Sequence, residues 1–404
     1  MNILQINAQE TKGGAAVAAN RLHQGLLAHG TSSEFLVGEI QINGPATAEF
    51  PRRLWLEKRI DSITFPLGLN YLGCVGSFDL PMHPSFAWAD IINFHNLHGG
   101  FFNYLALPFI TRKKPSVWTL HDMWAITGHC SYSFGCERWR TGCGKCPQLS
   151  GYPPIPRDAT KWEFRLKDFA YNHSNIVVVT PSKWLFDLAN NSILNKFLIH
   201  HIPYGIDTGT YRPLNTETCR EEFGIPSGKK VLLFSAESLS DLRKGGDLVI
   251  KAVESLPRFI LDDCVLLTFG SANVSLPAGV DLPIINLGFL SSDKLKAAAY
   301  SSADIFLFPT RADNLPLVLM ESLACGTPMV AADTGGVSDL VRNGETGFLH
   351  IAGDYMDLSR KIADLLLNDK GREEMSQNCR RIAVREYTLE KQANRYINIY
   401  NELL

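Results

Sequence analysis

Short apolar runs alternate with longer segments of helical spacing along nearly the whole chain. In the first half, runs of strand length occupy residues 3–7, 35–37, 91–94, 117–120 and 176–180. Between them, apolar residues recur every three or four positions over 15–28 and 162–171, which predicts helices.

The same alternation restarts after residues 204–213. It predicts strands at 231–235, 265–269, 284–287, 305–308 and 329–332, and helices at 246–255, 293–301, 318–325 and 355–367. Two helical segments, 372–385 and 389–404, close the pattern. Continuous apolar strands that alternate with helices are typical of parallel sheets covered on both faces. The pattern therefore predicts two doubly wound α/β domains, 1–205 and 210–385, followed by a helix over 386–404.

Composition agrees with two folded domains and excludes several classes of protein. The 404 residues exceed what one core usually holds, and 45% are hydrophobic, which excludes intrinsic disorder. With 39 basic against 41 acidic residues, the chain has no general basic field, so no nucleic-acid partner is expected.

Neither an export signal nor a membrane span is predicted. The N-terminus begins with a strand instead of a basic and then apolar leader. The longest uncharged run, 91–111, contains two histidines and three asparagines and is better interpreted as a strand, a loop and a helix. Nine cysteines without a leader indicate a reduced compartment, so we expect a cytoplasmic protein.

The first predicted strand-to-helix turn ends in Gly13 and Gly14 and is not G-x-G-x-x-G, which argues against a nicotinamide or flavin dehydrogenase. A glycine pair at a helix start can direct N–H groups toward an anion. An ordinary tight turn is the alternative.

The richest stretch, 305–341, contains two acids eight residues apart, Asp313 in a loop and Glu321 in a helix. Because the residues around Glu321 are almost all apolar, its carboxylate needs a partner, either a ligand hydroxyl or backbone amides. Further along, Gly335 and Gly336 form a turn that is predicted to enter another helix.

Three other positions place polar chemistry at predicted strand ends. Arg243 and Lys244 precede a helix and suit a leaving diphosphate, although a solvated basic turn is the alternative. His121 follows strand 117–120, where a side chain points into the crevice of a doubly wound sheet unless it serves as a structural histidine. Asn96 and His98 follow strand 91–94 in the same way and are weaker candidates for binding an acceptor.

The Asp313…Glu321 spacing resembles the acid-x7-acid motif of retaining glycosyltransferase family 4, and the following Asn314-Leu315-Pro316 resembles bacterial exopolysaccharide transferases of the colanic-acid type. The resemblance implies the GT-B fold, in which two Rossmann-like domains face each other across a cleft and the final helix packs back on the first domain. Two departures stand out. Asp313 replaces the usual glutamate, and Ser238 stands near the position of a family arginine, for which Arg243 would substitute.

The resemblance also implies an activity and a role for each site residue. A sugar would pass from a nucleotide donor, linked to UDP or GDP, to a saccharide acceptor, with retention at the anomeric carbon and no catalytic metal. His121, Lys244 and Asp313 would be the catalytic residues. The donor would be held by Gly13, Gly14, Arg243, Lys244, Asp313, Asn314, Leu315, Pro316, Glu321, Gly335 and Gly336.

Two other functions fit the same sequence. A GT-B epimerase or phosphorylase would share the fold, and a catalytically inactive scaffold of a glycan-assembly complex would tolerate the departures at Asp313 and Ser238.

Four cysteines lie within the segment 129–147, at Cys130, Cys136, Cys143 and Cys146. Four thiols so close together, ending in C-x2-C, predict a structural zinc site, with free thiols or labile disulfides as alternatives. The five remaining cysteines are scattered and are interpreted as filler in the core or at the surface.

Basic residues mix with Trp and aliphatic residues over 51–60, and a second basic run occupies 112–114. Such a segment can lie on an anionic lipid surface, which would fit peripheral contact at the inner membrane face and a lipid-linked acceptor. A solvated helix face is the alternative.

Overall fold

The structure is a computed structural model that describes residues 1–41, 46–236, 241–270 and 281–404. It divides into two compact units. The first comprises Met1–Gly205 together with Leu389–Leu404, and the second comprises Ile206–Thr388.

A seven-stranded parallel sheet forms the centre of the first unit. Its strands are β1 (Asn2–Gln9), β2 (Ser32–Glu39), β3 (Thr47–Glu49), β4 (Ile91–Phe94), β5 (Ser116–Thr119), β6 (Val177–Thr180) and β7 (Ile199–His201). They are arranged in the order β3-β2-β1-β4-β5-β6-β7, so the winding reverses between β1 and β4. The register pairs Ile3 with Ile91 across that reversal.

The helices of the first unit connect these strands. They are α1 (Gly14–Ala28), α2 (Leu54–Thr64), α3 (Pro84–Trp88), α4 (Leu107–Thr111), α5 (Thr160–Asn172) and α6 (Lys183–Asn190). Short 3-10 helices occupy Phe65–Leu67, Val75–Met82, Tyr104–Ala106, Trp124–Ile126 and Arg138–Thr141.

A six-stranded parallel sheet forms the centre of the second unit. Its strands are β8 (Lys230–Ala236), β9 (Cys264–Gly270), β10 (Ile284–Asn286), β11 (Ile305–Phe308), β12 (Met329–Ala332) and β13 (Gly347–His350). The order is β10-β9-β8-β11-β12-β13, and here the winding reverses between β8 and β11.

Seven helices accompany this sheet among the described residues. They are α7 (Thr216–Glu222), α8 (Gly246–Glu254), α9 (Arg258–Leu261), α10 (Asp293–Ser302), α11 (Leu317–Ala324), α12 (Tyr355–Leu366) and α13 (Asp369–Glu386). Two further 3-10 helices occupy Leu242–Lys244 and Val337–Asp339. None of the helices in the described ranges combines the length and the apolar character that crossing a bilayer would take.

The last helix, α14 (Leu389–Leu403), belongs to the first unit, where it packs on α1. Its Tyr396 and Tyr400 are buried in a core with Ile3 and Ile91. The two phenol groups also reach the sheet, because the Tyr400 hydroxyl lies 3.0 Å from Asn93 Nδ2 and the Tyr396 hydroxyl 2.9 Å from Thr119 Oγ1. Asn93 of β4 and Thr119 at the end of β5 thus each gain a hydrogen-bond partner from this helix.

The predicted fold class, two doubly wound α/β domains, is confirmed. The sequence pattern missed the short strands β3, β7 and β13, which are only three or four residues long. The predicted helix after Gly335 and Gly336 is wrong, because the chain makes only the three-residue 3-10 helix Val337–Asp339 there.

Candidate active site

The reversal between β8 and β11 places one group of candidate residues at the edge of the second sheet. In a doubly wound sheet, ligands bind at the carboxyl ends of the strands where the winding reverses. Arg243 and Lys244 follow β8, Asp313 follows β11, and Gly335 follows β12. Ser238, near the position of the family arginine, lies outside the described residues.

Two cations and the Asp313 carboxylate meet at this point, and Arg243 also pairs with a second acid, because its NH2 lies 3.2 Å from Asp241 Oδ2. Lys244 Nζ lies 2.9 Å from Asp313 Oδ2, and Arg243 NH1 lies 3.3 Å from the same oxygen. The Asp313 side chain is only 13% exposed. Burial by itself would raise the pKa of Asp313, but Lys244 and Arg243 outweigh burial and hold the pKa below its usual value. The carboxylate is therefore ionised and forms a compact ionic group with the two cations.

Backbone contacts hold the loops after β8 and β11 against each other. The Arg243 carbonyl accepts hydrogen bonds from the backbone N–H of Arg311 at 2.7 Å and from the Thr310 hydroxyl at 3.0 Å. Gly245 has a positive φ of 75°, and a Cβ there would lie 2.0 Å from the carbonyl oxygen of Pro309. The close approach of the two loops thus requires glycine at this position. It also fixes the backbone from which the neighbouring Lys244 side chain extends.

Gly335 lies against the backbone of Asp313. Its φ is 58°, and a Cβ would lie 1.9 Å from the Asp313 carbonyl oxygen. The N–H of Gly336 donates to that oxygen at 3.3 Å. These glycines therefore position Asp313 through the backbone, and the helix that we predicted after them is absent from this turn.

Glu321 lies in α11 and is 5% exposed. Its Oε2 accepts a hydrogen bond from the buried Tyr300 hydroxyl at 3.2 Å. Tyr300 is therefore a partner that the apolar sequence around Glu321 did not reveal. The three residues after Asp313 lead into the helix: the Asn314 N–H donates to Asp313 Oδ1 at 3.0 Å, Leu315 is buried, and Pro316 caps α11.

The reversal between β1 and β4 places the candidate residues of the first unit. Gly13, with a φ of 86°, is the N-cap of α1, and Gly14 is its first residue. The turn before them is held by Gln41, whose Oε1 accepts from the backbone N–H groups of Thr11 and Lys12 at 3.0 and 2.9 Å.

His121 lies after β5 and is 8% exposed. Its Nδ1 lies 2.6 Å from the Tyr204 hydroxyl, and its Nε2 lies 3.0 Å from His95 Nδ1. His95 Nε2 in turn lies 2.8 Å from Gln5 Oε1. Burial lowers the pKa of His121 to about 4, so the ring is neutral at physiological pH. The catalytic role that the resemblance implies for His121 would require one ring nitrogen to exchange its partner.

The two acceptor candidates differ in their surroundings. His98 Nε2 lies 2.8 Å from Asp122 Oδ2, and the ring is packed beside Trp124 and Tyr152. Asn96 is half-buried, and its backbone N–H donates to Asn7 Oδ1 at 3.2 Å. His98 thus belongs to an imidazole–carboxylate pair that the sequence did not reveal.

The four clustered cysteines line one small cavity of about 20 Å³, together with His129. The Gly128 N–H lies 3.2 Å from Cys143 Sγ, and His129 Nε2 lies 3.4 Å from Cys146 Sγ. As the side chains stand, no three His, Cys, Asp or Glu residues within the described ranges are placed to hold one metal ion. The zinc site stays a prediction. The five other cysteines are all buried: Cys74, Cys219, Cys264, Cys325 and Cys379.

The residues that the sequence analysis missed are mostly partners of the residues that it found. Tyr300 supports Glu321, Tyr204 and His95 support His121, and Asp122 supports His98. Asp122 directly follows His121, so a polar pair after a buried strand was the available signal. Tyr204 and Tyr300 carry no local signal of this kind.

Two doubly wound parallel sheets, each with candidate ligand-binding residues near its reversal, are the architecture of the GT-B class of glycosyltransferases. Residues 12–210 match the model of Glycosyltransferase Family 4, and residues 215–382 match that of Glycosyl transferases group 1. The chain therefore belongs to the family 4 and group 1 glycosyltransferases, as the sequence motifs predicted.

Similar proteins agree with this assignment. The putative colanic acid biosynthesis glycosyl transferase WcaC of Escherichia coli K12 is 28% identical, and the similarity covers all of both chains. Sucrose-phosphate synthase from Thermosynechococcus elongatus shares the fold with a TM-score of 0.72 at 17% identity, over 100% of this chain and 98% of that one. The Anabaena Alr3699/HepE structure in complex with UDP-glucose has a TM-score of 0.70 at 16% identity, over the whole of both chains.

Proposed function

We propose that this glycosyltransferase moves a sugar from a nucleoside-diphosphate donor to a saccharide acceptor in the synthesis of a polysaccharide or other glycan, with retention at the anomeric carbon. The observation that carries the proposal is the ionic group of Arg243, Lys244 and Asp313 at the sheet reversal of the second unit. The full-length similarity to a colanic acid biosynthesis transferase supports a saccharide acceptor.

Lys244 and Arg243 stabilise the leaving diphosphate in this proposal. Negative charge grows on the diphosphate as its bond to the anomeric carbon breaks, and fixed cations stabilise that charge more in the transition state than in the ground state. The backbone contacts between the loops after β8 and β11 already hold the backbone of both cations in place, and donor binding then exchanges the Asp313 carboxylate for the diphosphate at the Lys244 ammonium.

Two carboxylates hold the donor in this proposal. Asp313, with its flanking backbone fixed by Gly335 and Gly336, accepts hydroxyls of the donor sugar. Glu321, supported by the Tyr300 hydroxyl, accepts the ribose hydroxyls of the nucleotide. Buried carboxylates suit this task because hydroxyl donors bind ionised acceptors strongly where water is excluded.

Retention follows if the acceptor hydroxyl attacks the same face of the sugar that the diphosphate leaves. The bond between the anomeric carbon and the diphosphate oxygen breaks, the bond to the acceptor oxygen forms, and the acceptor proton passes to the leaving phosphate oxygen. No enzymic nucleophile takes part in this step.

The test is release of nucleoside diphosphate from a panel of UDP- and GDP-sugars, with and without saccharide acceptors, followed by proton NMR of the anomeric configuration in the product. We expect release that depends on an acceptor and a product with the donor's configuration. Donor turnover without an acceptor would favour an epimerase or phosphorylase. Donor binding with no turnover on any acceptor would favour an inactive scaffold.

A further inference from the structure

A tyrosine of the first unit lies exposed beside the imidazole–carboxylate pair of His98 and Asp122. Tyr152 is 63% exposed, and its ring lies edge-on to the His98 ring, with the centroids 5.6 Å apart and the planes at 75°. His98 itself is buried, and its ring also packs against Trp124 at 5.6 Å. An aromatic ring that is open to solvent thus lies next to a polar pair that is largely enclosed.

The three side chains belong to the edge of the sheet where ligands bind. His98 follows β4 and Asp122 follows β5, and these two strands are hydrogen-bonded neighbours. The winding of the sheet reverses beside β4. In a doubly wound sheet, the carboxyl ends of the strands at such a reversal form the binding crevice. Tyr152 lies in the connection from β5 to α5, which leaves the sheet at the same edge.

The Asp122 carboxylate is fixed in place and ionised. His98 Nε2 lies 2.8 Å from Asp122 Oδ2, and the Trp124 N–H donates to Oδ1 at 2.8 Å. Burial by itself would raise the pKa of Asp122, but His98 and the Trp124 N–H outweigh burial and hold the pKa below its usual value. The side chain keeps 13% of its surface exposed, and a carboxylate oxygen can accept more than one hydrogen bond. A ligand hydroxyl can therefore donate to it.

The lysine next to this pair is engaged within the core. Lys167 is fully buried, and its Nζ donates to the carbonyls of Trp124 at 2.7 Å and Thr127 at 3.0 Å. The ammonium group also lies 3.6 Å from the centroid of the Trp124 ring. Lys167 is therefore not free to pair with a ligand, and a negatively charged ligand group beside Tyr152 would be repelled by Asp122.

The segment that carries the four cysteines holds Tyr152 in place. The Ser131 N–H donates to the Tyr152 carbonyl at 2.8 Å. The Met123 N–H donates to the Ser131 carbonyl at 2.9 Å, which joins this segment to the residue after Asp122. Because these bonds run through the backbone, Tyr152 and Asp122 are positioned relative to each other whether or not a ligand is bound.

We propose that Tyr152 and Asp122 form a subsite for an uncharged sugar of the saccharide acceptor, with the sugar ring stacked on Tyr152 and one sugar hydroxyl donating to the Asp122 carboxylate. A sugar presents an apolar C–H face and a rim of hydroxyls, which match an exposed aromatic ring beside a carboxylate. His98 is a positioning residue, because its Nε2 orients that carboxylate. The assignment of this sugar to the acceptor rests on the proposed function.

The experiment is saturation-transfer NMR of the full chain, without donor, using pairs of sugars that differ only at carbon 6. The probes are methyl glucoside against methyl glucuronide and methyl galactoside against methyl galacturonide, and titration of the signal gives a Kd for each. We expect the uncharged glycosides to bind at least about tenfold more tightly than the uronides, because the uronide carboxylate is repelled by Asp122. Since no transfer takes place, the result does not depend on turnover.

Three variants separate the ring from the charge. Tyr152→Ala should weaken binding of the uncharged glycosides at least about tenfold, whereas Tyr152→Phe keeps the ring and should bind them like the unchanged protein. Asp122→Asn keeps the shape of the side chain and removes its charge, so the preference for uncharged probes should disappear. Phe169→Ala is the matched control, because Phe169 is 59% exposed on α5, and it should change neither Kd. Circular dichroism checks that each variant is folded.

Three results would overturn the proposal. The first is equal binding, or none, of the uncharged and uronic probes by the unchanged protein. The second is binding of the uncharged glycosides that persists in full in Tyr152→Ala. The third is a preference that persists in Asp122→Asn, which decides the matter alone if Tyr152→Ala does not fold. The proposed function is tested separately by acceptor-dependent release of nucleoside diphosphate, so the failure of one proposal is distinguishable from the failure of the other.

Discussion

The Lys244 ammonium lies 2.9 Å from the Asp313 carboxylate, although 69 positions separate the two residues in the sequence. The pair forms because β8 and β11 are hydrogen-bonded neighbours, with Ile305 paired to Leu232. A diphosphate that binds Lys244 competes with this carboxylate. The proposed donor site therefore exchanges one anionic partner of the lysine for another.

Replacing Lys244 by alanine should lower kcat by roughly a hundredfold and donor affinity by much less, because the charge on the leaving group grows in the transition state. Donor affinity is measured by calorimetry and kcat by nucleoside diphosphate release. Lys251→Ala, which removes an exposed cation from α8, is the control. Equal losses in affinity and kcat would show that Lys244 contributes only to donor binding in the ground state.

Replacing Glu321 by glutamine should weaken donor binding roughly tenfold or more while the fold survives, because a charged acceptor of the ribose hydroxyls becomes neutral. Tyr300→Phe separates this role from a structural one, because it removes the hydroxyl that bonds Glu321 and keeps the carboxylate. If both variants only lower the melting temperature and the calorimetric Kd stays unchanged, Glu321 is a structural residue.

Replacing His121 by alanine should cut transfer at least about tenfold without unfolding the first unit. The ring is held by Tyr204 and His95, so a solely structural role predicts the opposite result, normal transfer with a lowered melting temperature. Kinetics and thermal unfolding of the same preparation distinguish the two roles.

The buried His121 also predicts how stability depends on pH. Burial lowers its pKa from 6.5 to about 4, so between these values the unfolded chain binds the proton and the folded chain does not. The contribution of His121 to the free energy of unfolding should therefore be complete above pH 6.5. It should fall by up to about 3 kcal/mol as the pH drops toward 4.

Urea unfolding over this pH range measures the effect. His121→Asn should flatten the slope, whereas His173→Asn, at an exposed histidine, should leave it unchanged. If the slope persists in full in His121→Asn, the pH dependence arises from other groups, such as His95, whose pKa is also lowered by burial.

Replacing Gly335 by alanine should impair both stability and turnover. The new Cβ would lie 1.9 Å from the Asp313 carbonyl oxygen, so the backbone that positions Asp313 must shift. Gly228 also has a positive φ, 75°, but no atom within 4 Å of the added Cβ, so Gly228→Ala measures the cost of the backbone conformation alone. Equal melting temperatures and equal turnover in the two variants would contradict this role for Gly335.

The cysteine loop predicts a metal content. If Cys130, Cys136, Cys143 and Cys146 bind zinc, elemental analysis should find about one zinc per chain, and Cys143→Ser or Cys146→Ser should empty the site. Cys219→Ser, outside the loop, should keep the metal. Metal-free protein with four titratable thiols and full activity would exclude the zinc site.

The sequence pattern predicted the fold class because each sheet consists mainly of strands buried on both faces. Strands such as β11 and β12 are continuous apolar runs and are readily found. The edge strands β3 and β7 are not, because their three residues, TAE and IHH, contain no apolar run. Their existence depends on the neighbours with which they pair.

The candidate site was predicted only in part, because some of its contacts follow from the arrangement of the strands and others arise from tertiary packing. Arg243, Lys244 and Asp313 could be expected to meet because parallel strands bring their carboxyl ends to one edge. Tyr300 could not be linked to Glu321, since its hydroxyl arrives from α10 through tertiary packing. The prediction of a helix after Gly336 was wrong because two glycines suit several kinds of turn equally well. Only the contact with the Asp313 backbone selects the turn that is observed.

The position of α14 has a consequence for the order in which the protein folds during synthesis. Asn93 and Thr119 are made early, but the tyrosine hydroxyls that satisfy them belong to residues 400 and 396. The ribosome must therefore complete the second unit before the first can close its core. Until then the apolar surface of α1 that α14 covers stays exposed in the nascent first unit. A chaperone that protects exposed apolar surface would be needed there for the longest time.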